Sequence, residues 1–319
     1  MRDPYQCPPR IAIVTTSYPA HARDWSGHFV RAEAVELARG GARVVVYTPS
    51  ITTDATARAD FFDDRVEVVR LGGASAFGPP GALARIAAFP PRLASAAAWA
   101  WRAHAALRRE SFDRVISHWA VPSAWPVAPA SAPLEVVSHG SDVRLLVKLP
   151  SPLRHAIAST LAARARVWRF VSTPLLDALA ASLRPELARR VAHIAEVRPA
   201  AFELPDVRAR ATALKRELGS FRVSVGRLVP SKRVDRAIDR VAADGGLLVV
   251  VGDGPERRSL ERHARRRGVD ARFVGELPRD EALAYLAAAD ALVFASESEG
   301  CSTVLREASA LETPVELLS

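Results

Sequence analysis

The chain contains little cysteine and no long uncharged apolar run. Its two cysteines, Cys7 and Cys301, fit a reducing compartment and are too few and too far apart for a zinc site. No run of about eighteen uncharged apolar residues occurs, so no membrane-spanning helix is expected. The first residues, MRDPYQCPPR, lack the apolar stretch of a secretory signal. We therefore expect the protein to stay in the cytoplasm.

Lysine supplies almost none of the positive charge. Only Lys148, Lys215 and Lys232 are present, so arginine accounts for nearly all of the net charge of +9. Together with the many alanines and prolines, this indicates codon bias rather than nucleic-acid binding, and no nucleic-acid partner is expected. A basic protein still favours anionic partners such as diphosphates or acidic lipid headgroups.

Patterns of metal ligands are also missing. No Asp-x-Asp pair occurs, and no clustered His, Cys and Asp set has metal-ligand spacing. We expect neither a metal nor a bound cofactor. A diphosphate that leaves during a reaction would then be stabilised by cations and a helix N-terminus.

What is present is an alternation of apolar strand patterns and helix-forming segments, in two series. The content of 49% hydrophobic and 25% charged residues is typical of a globular protein, and 319 residues suit two domains. The alternation predicts an α/β fold of two Rossmann-like, doubly wound parallel sheets. We expect an N-terminal domain over residues 1–200 and a C-terminal domain over residues 201–319, which face each other across a cleft.

The apolar runs and their flanking residues set the predicted bounds of the elements. The predicted strands are Arg10–Thr15, Arg43–Thr48, Arg65–Leu71, Arg114–Ser117, Leu134–Ser138 and Arg166–Ser172, followed by Phe221–Val225, Leu247–Val251, Ala271–Val274, Ala291–Ala295 and Pro314–Leu318. The predicted helices include His28–Arg39, Val234–Ala242, Pro255–Arg267, Asp280–Ala288 and Ser302–Leu311.

Residues 82–109 form an alanine- and tryptophan-rich stretch that contains several arginines. Pro90 and Pro91 divide it into two predicted helices. One interpretation is an amphipathic helix pair that covers the sheet. The other is a basic, tryptophan-bearing face that rests on the inner face of the cell membrane. Surface helices with arginine on one side are common, which favours the first interpretation.

Open parallel sheets bind ligands beyond the carboxyl ends of their strands, so residues that follow predicted strands are candidates for a site. Arg227 and Lys232 follow the strand that ends at Val225, in a segment that begins with Gly226. The planar arginine fork and the mobile lysine charge together suit a diphosphate. Two solvated loop charges are the alternative, which is preferred for this segment taken alone.

Gly252 lies in a second turn between a strand and a helix, Val251-Gly252-Asp253-Gly254-Pro255. The turn resembles the glycine fingerprint for dinucleotides only faintly, because Pro255 and Arg257 break the pattern. An NAD site is therefore not expected here. The turn instead brings backbone close to a ligand, and Pro255 suits the first turn of a helix.

A pair of glutamates follows the strand Ala291–Ala295. Glu299 is predicted in the loop, and Glu307 in the next helix, which begins at Ser302 or Thr303. The free N–H groups of that helix would face an anion. The two carboxylates could accept hydrogen bonds from sugar and ribose hydroxyls. The alternative is one exposed loop acid and one acid on a helix surface.

Two histidines follow strands in the N-terminal half, His118 after Arg114–Ser117 and His139 after Leu134–Ser138. Both are expected to point into the cleft. A lone histidine is more often structural, but two at strand ends on one side favour a functional role.

These residues together resemble the retaining glycosyltransferases of the GT-B fold, family four (glycosyltransferase group 1). The resemblance extends over essentially the whole chain, and its most specific part is the Glu-x7-Glu pattern of Glu299 and Glu307. The other similar segments are Gly226-Arg227-Leu228 with Lys232, Val251-Gly252-Asp253-Gly254-Pro255, Ser17-Tyr18-Pro19 with Gly27, Ser117-His118-Trp119 and His139-Gly140-Ser141-Asp142.

The resemblance implies a role for each candidate residue. Arg227 and Lys232 would bind the donor diphosphate, and Glu307 the ribose hydroxyls. Glu299 would contact the transferred sugar, and His139 would lie at the reacting centre. The donor-binding set is completed by Gly27, Gly252, Ser302 and Thr303, whereas His118 lies on the acceptor side.

The resemblance also implies a reaction. A UDP-, GDP- or ADP-linked sugar would be transferred with retention at the anomeric carbon, without a metal, by front-face attack assisted by the departing phosphate. The acceptor would be a sugar, lipid or small molecule held by the N-terminal domain. Biosynthesis of a cell-envelope polysaccharide or glycolipid is the expected setting, with contact at the membrane surface as one option.

The sequence departs from the family pattern at three places. Cys301-Ser302 stands where the family often has Phe-Gly, and Leu311-Glu312 replaces a Cys-Gly-like pair. The chain stops at Ser319, directly after the fifth predicted strand of the second series, where the family normally continues. We therefore expect an incomplete second domain and an activity impaired by the short C-terminus.

Two other functions are compatible with the same residues. A non-catalytic remnant or partner protein would bind a nucleotide-sugar without turning it over. An epimerase of similar architecture ranks last, because its chemistry needs acids in the cleft that the sequence does not supply.

Overall fold

The computed structural model describes residues 7–20, 24, 26–50, 61–63, 65–78, 82–125, 132–202, 204–296 and 303–318, with no side chains described at 61–63, 83, 84 and 87. The predicted α/β fold is confirmed. The chain divides at residues 203 and 204 into two compact units, and each is built on its own sheet.

The first unit is an α/β layer structure. Its strands are β1 (Arg10–Val14), β2 (Arg43–Thr48), β3 (Phe61–Asp63), β4 (Val66–Arg70), β5 (Arg114–His118), β6 (Leu134–Ser138), β7 (Ala165–Phe170) and β8 (Ala195–Val197). Its helices are α1 (His28–Arg39), α2 (Ala82–Ala88), α3 (Arg92–Arg109), α4 (Ser141–Lys148), α5 (Ser151–Arg164), α6 (Thr173–Ala181) and α7 (Pro185–Ile194). The strand order is β3-β4-β2-β1-β5-β6-β7-β8, and all pairs are parallel except β3 with β4.

Strand β1 lies in the middle of this sheet because its side chains are apolar on both faces. Ile11 and Ile13 pack with Val30, Ala34 and other residues of α1, in one core cluster. Helix α1 starts at Gly27, which has a φ of 67°. A Cβ at Gly27 would lie 2.2 Å from the carbonyl oxygen of Ser17, so only glycine lets the chain turn here against the loop after β1.

The second unit repeats this architecture with fewer elements. Its strands are β9 (Phe221–Val225), β10 (Leu247–Val251), β11 (Asp270–Gly275), β12 (Ala291–Phe294) and β13 (Val315–Leu317). Its helices are α8 (Arg208–Leu218), α9 (Val234–Asp244), α10 (Arg257–Arg267), α11 (Arg279–Ala288) and α12 (Thr303–Ala310). The sheet is parallel throughout, in the order β11-β10-β9-β12-β13.

Helices cover both faces of this second sheet. Along β10, Leu247, Val249 and Val251 pack on one side with residues of α8 and α11. Leu248 and Val250 point the other way and pack with residues of α9 and α10. A continuous apolar strand is the pattern expected of a parallel sheet buried on both faces.

The predicted strands and helices agree with the structure to within two residues at each end. The Pro90-Pro91 break between α2 and α3 is confirmed as well. Strands β3 and β8 were not predicted, because three residues each are too few for a periodic pattern. Among the described residues, no helix has the length and apolar content needed to span a bilayer.

Candidate functional site

In the second unit, the loop after β9 carries two of the predicted cations. Leu228 is buried and anchors this loop, since its N–H donates to the carbonyl of Asp253 over 2.9 Å. Arg227 is exposed beside it. Lys232 ends a short 3-10 turn, Pro230–Lys232, and is half-buried. An anchored loop therefore holds one cation in solvent and the other partly inside the protein.

Backbone contacts join this loop to its neighbours. A Cβ at Gly252 would lie 2.0 Å from the carbonyl oxygen of Gly226, and Gly252 has a φ of 130°. The N–H of Gly252 donates to the carbonyl of Gly275 over 2.8 Å. The loops that leave β9, β10 and β11 are thus fastened to one another at the carboxyl edge of the sheet, where ligands of such sheets bind.

The pKa of the Lys232 ammonium is unusually low in this loop. Burial, and after it the positive charge of Arg227, lowers the pKa of Lys232 from 10.5 to about 8. Two cations that disfavour each other's charge form an arrangement that an anion stabilises. Such a pair, at the carboxyl edge of a parallel sheet, is suited to a phosphate or diphosphate.

Glu307 lies on α12, one turn after Thr303, which begins the helix. Its carboxylate accepts a hydrogen bond of 2.8 Å from Arg279, at the start of α11. Burial raises the pKa of Glu307, and the positive charge of Arg279 opposes this. A largely buried acid with one fixed partner keeps further oxygen lone pairs for a ligand hydroxyl.

Glu299 and Ser302 lie outside the described residues, so their predicted roles stay predictions. Nearby, the hydroxyl of Ser296 donates to the carbonyl of Ser231 over 3.3 Å. This bond joins the exit of β12 to the loop that carries Lys232. Ser296, the last described residue before Glu299, therefore contacts the loop that carries Lys232.

In the first unit, the two predicted histidines contact each other directly. Nδ1 of His118 lies 2.9 Å from Nε2 of His139, and the rings stack with an interplanar angle of 11°. Burial, followed by the positive charge of Arg169, lowers the pKa of His118 to about 3. Burial and the neighbouring His118 lower the pKa of His139 well below its ordinary value. Both rings are neutral at pH 7.

His118 does not reach solvent, although the sequence predicted that it points into a cleft. Only 1% of it is exposed, and it lies beneath His139, which keeps partial exposure. The ring centroids of Phe29 and Trp119 lie 4.5 and 5.1 Å from the centroid of the His139 ring, so the two rings pack against His139. His118 therefore contacts His139 rather than solvent, and its assignment to the acceptor side stays a prediction.

Asp142 fixes the backbone around this pair. Its buried carboxylate accepts hydrogen bonds from the N–H groups of Ala120, His139 and Gly140, at 2.8, 3.1 and 3.0 Å. The bonds join the loop after β5 to the loop after β6. Three N–H donors satisfy the buried charge and set the position of His139.

A buried ionic network lies below His118. Glu33 of α1 pairs with Arg169 of β7, which also pairs with Glu135 of β6. The second oxygen of Glu33 lies 3.7 Å from Nε2 of His118. A carboxylate there favours the tautomer of His118 with the proton on Nε2, and in that tautomer Nδ1 of His118 accepts a hydrogen bond from Nε2–H of His139. Nδ1 of His139 is then unprotonated and can accept a hydrogen bond.

Comparison with known proteins decides the identity of the second unit. Residues 209–315 match the family model of glycosyl transferases group 1. This part of the chain is a glycosyltransferase group 1 domain. The second unit therefore carries the domain of a sugar-transferring enzyme, and Arg227, Lys232 and Glu307 all lie inside the matched range.

Similarity to single proteins extends further along the chain than the group 1 domain. TuaC, a glycosyltransferase assigned to teichuronic acid biosynthesis in Bacillus subtilis (strain 168), is 27% identical over 96% of this chain and 80% of its own length. Sucrose-phosphate synthase of Thermosynechococcus elongatus superposes with a TM-score of 0.67 at 18% identity, over 97% of this chain and 81% of that chain. The catalytic domain of starch synthase IV of Arabidopsis thaliana, bound to ADP and acarbose, gives 0.65 at 14% identity, over 98% and 83%. The structural likenesses establish the GT-B fold of two Rossmann-like domains.

Three residues around the candidate sites were not singled out from the sequence, and a fourth, Asp142, was named only as the end of a similar segment. Arg279, in the group 1 domain, fixes Glu307, and Glu33, Asp142 and Arg169 organise the histidines of the first unit. A signal existed for two of them. Glu33 interrupts the apolar face of α1, and Arg169 stands between Trp168 and Phe170 in β7. A charge at a position whose neighbours are buried needs a partner, but the sequence does not say which one.

Proposed function

We propose that the protein is a retaining, metal-independent glycosyltransferase that moves a sugar from a nucleoside diphosphate sugar to a hydroxyl acceptor. The observation that carries this proposal is the cation pair of Arg227 and Lys232, held by an anchored loop at the carboxyl edge of the group 1 domain. Its geometry fits a diphosphate, the part shared by all such donors.

The donor is assigned to the second unit. Arg227 provides a fork of donors and Lys232 a point charge for the diphosphate. The first N–H groups of α12, which begins at Thr303, add a partial positive charge. Glu307 accepts hydrogen bonds from the ribose hydroxyls while Arg279 holds its carboxylate in place. Starch synthase IV, a protein of the same fold, is known in a complex with ADP.

The reaction breaks the bond between the anomeric carbon and the β-phosphate oxygen. The acceptor oxygen forms the new bond on the same face, and its proton passes to the departing phosphate oxygen. Arg227 and Lys232 stabilise the charge that grows on the leaving diphosphate, which is the main catalytic contribution. The family resemblance assigns His139 to the reacting centre, and in its neutral form this histidine can accept a hydrogen bond from a sugar hydroxyl through an unprotonated ring nitrogen.

The proposed acceptor is an intermediate in the assembly of a polysaccharide or glycolipid. TuaC, the relative that covers nearly the whole chain, is named for teichuronic acid biosynthesis. Both proteins would then add a sugar to a growing saccharide.

A panel of UDP-, GDP- and ADP-sugars tests the proposal, with donor hydrolysis and transfer as readouts. Glu307→Gln keeps the size of the side chain and removes its charge, and we expect turnover to fall by about a hundredfold. Glu316→Gln is the matched control, since Glu316 is also an ion-paired glutamate of the second unit but pairs with Arg222 and Arg240, away from the carboxyl edge.

Equal activity of wild type and Glu307→Gln would remove the assigned donor site. Saturable nucleotide binding in calorimetry, with no turnover of any donor or acceptor, would favour the alternative of a non-catalytic binding protein.

A further inference from the structure

Helix α3 of the first unit presents an apolar face to solvent. Trp101 is 70% exposed, Leu93 is 61% exposed, and Phe89, just before the helix, is 54% exposed. Between residues 93 and 101, the exposed positions are Leu93, Ala94, Ala97 and Trp101, so this part of the outer face carries no polar side chain. A surface helix ordinarily turns its polar residues outward.

The inner face of α3 already packs on the protein. Trp99, Ala103 and Leu107 are buried, and the Trp99 ring contacts Phe77 at 5.1 Å. The outward apolar face is therefore not needed for the core of the unit. Leu93, Ala97 and Trp101 follow at intervals of four, so they form a stripe about 12 Å long, turning by about 80° around the helix.

The charged side chains of the helix that carries this stripe have one sign, and Glu110, directly after the helix, pairs with Arg10. Residues 82–109 contain five arginines and no aspartate or glutamate. The guanidinium of Arg92 lies 5.7 Å from the Phe89 ring, at one end of the stripe. Arg108 and Arg109 are exposed at the other end, in the last turn of α3. Apolar and aromatic side chains flanked by arginine match a bilayer interface, where rings enter the headgroup layer and cations meet anionic lipids.

We propose that the outer face of α3, with Phe89, is a docking surface for an anionic lipid bilayer. The helix lies in the plane of the interface, with Leu93 and Trp101 inserted among the headgroups and Arg108 and Arg109 against lipid phosphates. This role is independent of the donor site, which lies in the other unit. The structure thus favours the membrane interpretation of residues 82–109 over a pair of helices that only cover the sheet.

Cosedimentation of the full chain with vesicles tests this surface without any donor present. Phosphatidylcholine vesicles that contain phosphatidylglycerol should bind the protein at low ionic strength, and binding should weaken in high salt and on phosphatidylcholine alone. Trp101→Ala should lower the partition coefficient about tenfold. Arg108→Glu together with Arg109→Glu should lower it about a hundredfold.

Two controls separate this surface from general stickiness and net charge. Leu153→Ala removes an exposed apolar side chain on α5, and Arg265→Glu with Arg266→Glu reverses two exposed arginines in the last turn of α10. Each control should change binding less than about threefold, because neither touches α3. The tryptophan emission should shift to the blue on vesicles, and the shift should be lost in Trp101→Phe.

Failure to bind anionic vesicles at low salt would overturn the proposal. Equal losses from the two arginine pairs would also overturn it, since net charge alone would then explain binding. A dimer that depends on Trp101, in a protein that ignores vesicles, would assign the face to a second copy of the chain. None of these results would change the expected transfer activity.

Discussion

Lys232 destabilises the folded protein and, at the same time, provides a positive charge suited to an anionic ligand. Its ammonium is half-buried, and its pKa of about 8 lies below the ordinary value of 10.5 because burial and Arg227 disfavour the charge. At pH 7 the lysine is protonated in the folded and the unfolded protein, so the folded state bears the electrostatic cost. A bound diphosphate would offset that cost, because it brings negative charge next to Lys232 and Arg227.

Lys232→Met should therefore stabilise the free protein and weaken donor binding. Because solvent still reaches the ammonium, we expect a gain of about 1 kcal/mol rather than the full value of the pKa shift. The melting temperature at pH 7, followed by circular dichroism, should rise by about 4 °C. Affinity for a nucleoside diphosphate, measured by calorimetry, should fall by about tenfold or more.

The pH dependence provides the control for this variant. Because its pKa is lowered to about 8, Lys232 loses its proton in the folded protein before it does so in the unfolded chain, whose pKa is 10.5. The stability of the wild type therefore increases as the pH rises from about 8 to 10.5. The difference between the two proteins should shrink over this range. A constant difference would show that the methionine side chain of the variant stabilises by packing instead.

At the scale of elements, the carboxyl edge of the second sheet is organised by contacts between backbones. Gly252 touches the Gly226 carbonyl closely enough that no side chain fits between them. The N–H of Gly252 donates a hydrogen bond to the carbonyl of Gly275, so the loops that follow β9, β10 and β11 keep fixed positions relative to one another. This packing therefore sets the position of Arg227 and Lys232, which lie on the loop after β9.

Gly252→Ala should displace the loop of Arg227 and Lys232. A Cβ would meet the Gly226 oxygen at 2.0 Å, so we expect a loss of about 3 kcal/mol in the free energy of unfolding and weaker nucleotide binding. Denaturant unfolding and calorimetry measure the two effects.

Gly268→Ala is the matched control, because Gly268 also has a positive φ, 69°, but nothing lies within 4 Å of its added Cβ. It should cost about 1 kcal/mol and leave binding unchanged. Similar losses in both variants would show that the backbone conformation, and not the close approach to Gly226, decides the effect.

At the scale of the whole molecule, the first unit contains a cluster of buried ionisable groups, whereas the second has loops that are joined by backbone contacts. His118 is buried over the Glu33, Arg169 and Glu135 network and has a pKa of about 3. Since its ordinary pKa is near 6.5, the unfolded chain takes up a proton before the folded one does. Stability of this unit should thus be lost as the pH falls below about 6.5.

Tryptophan fluorescence reports chiefly on this unit, because five of the six tryptophans belong to it, namely Trp99, Trp101, Trp119, Trp125 and Trp168. Between about pH 6 and about pH 4, His118 should lower the free energy of unfolding by about 1.4 kcal/mol per pH unit. His118→Gln should reduce the slope by that amount, whatever its stability at neutral pH. Equal slopes in the two proteins would show that His118 takes up its proton in the folded state.

The order of strands and helices could be predicted because it follows from local pattern. Apolar runs such as Leu247–Val251 indicate buried strands, and turn residues such as Gly40 and Gly245 mark where helices end. Short or marginal elements were missed. Helices α4 to α7 were not assigned from the sequence, although α7 has an amphipathic pattern that buries Leu187 and Val191.

For the candidate site, the sequence alone determined which residues stand at the carboxyl ends of strands, since topology brings those ends to one edge of each sheet. Arg227, Lys232, His118 and His139 were found in this way. Only the tertiary structure decided their partners: that Arg279 holds Glu307, that His118 lies buried under His139, and that Trp101 faces outward while Trp99 faces inward. The physical reason is that burial and ion pairing join residues distant in the chain, so charge state and exposure belong to the packed molecule and not to the local sequence.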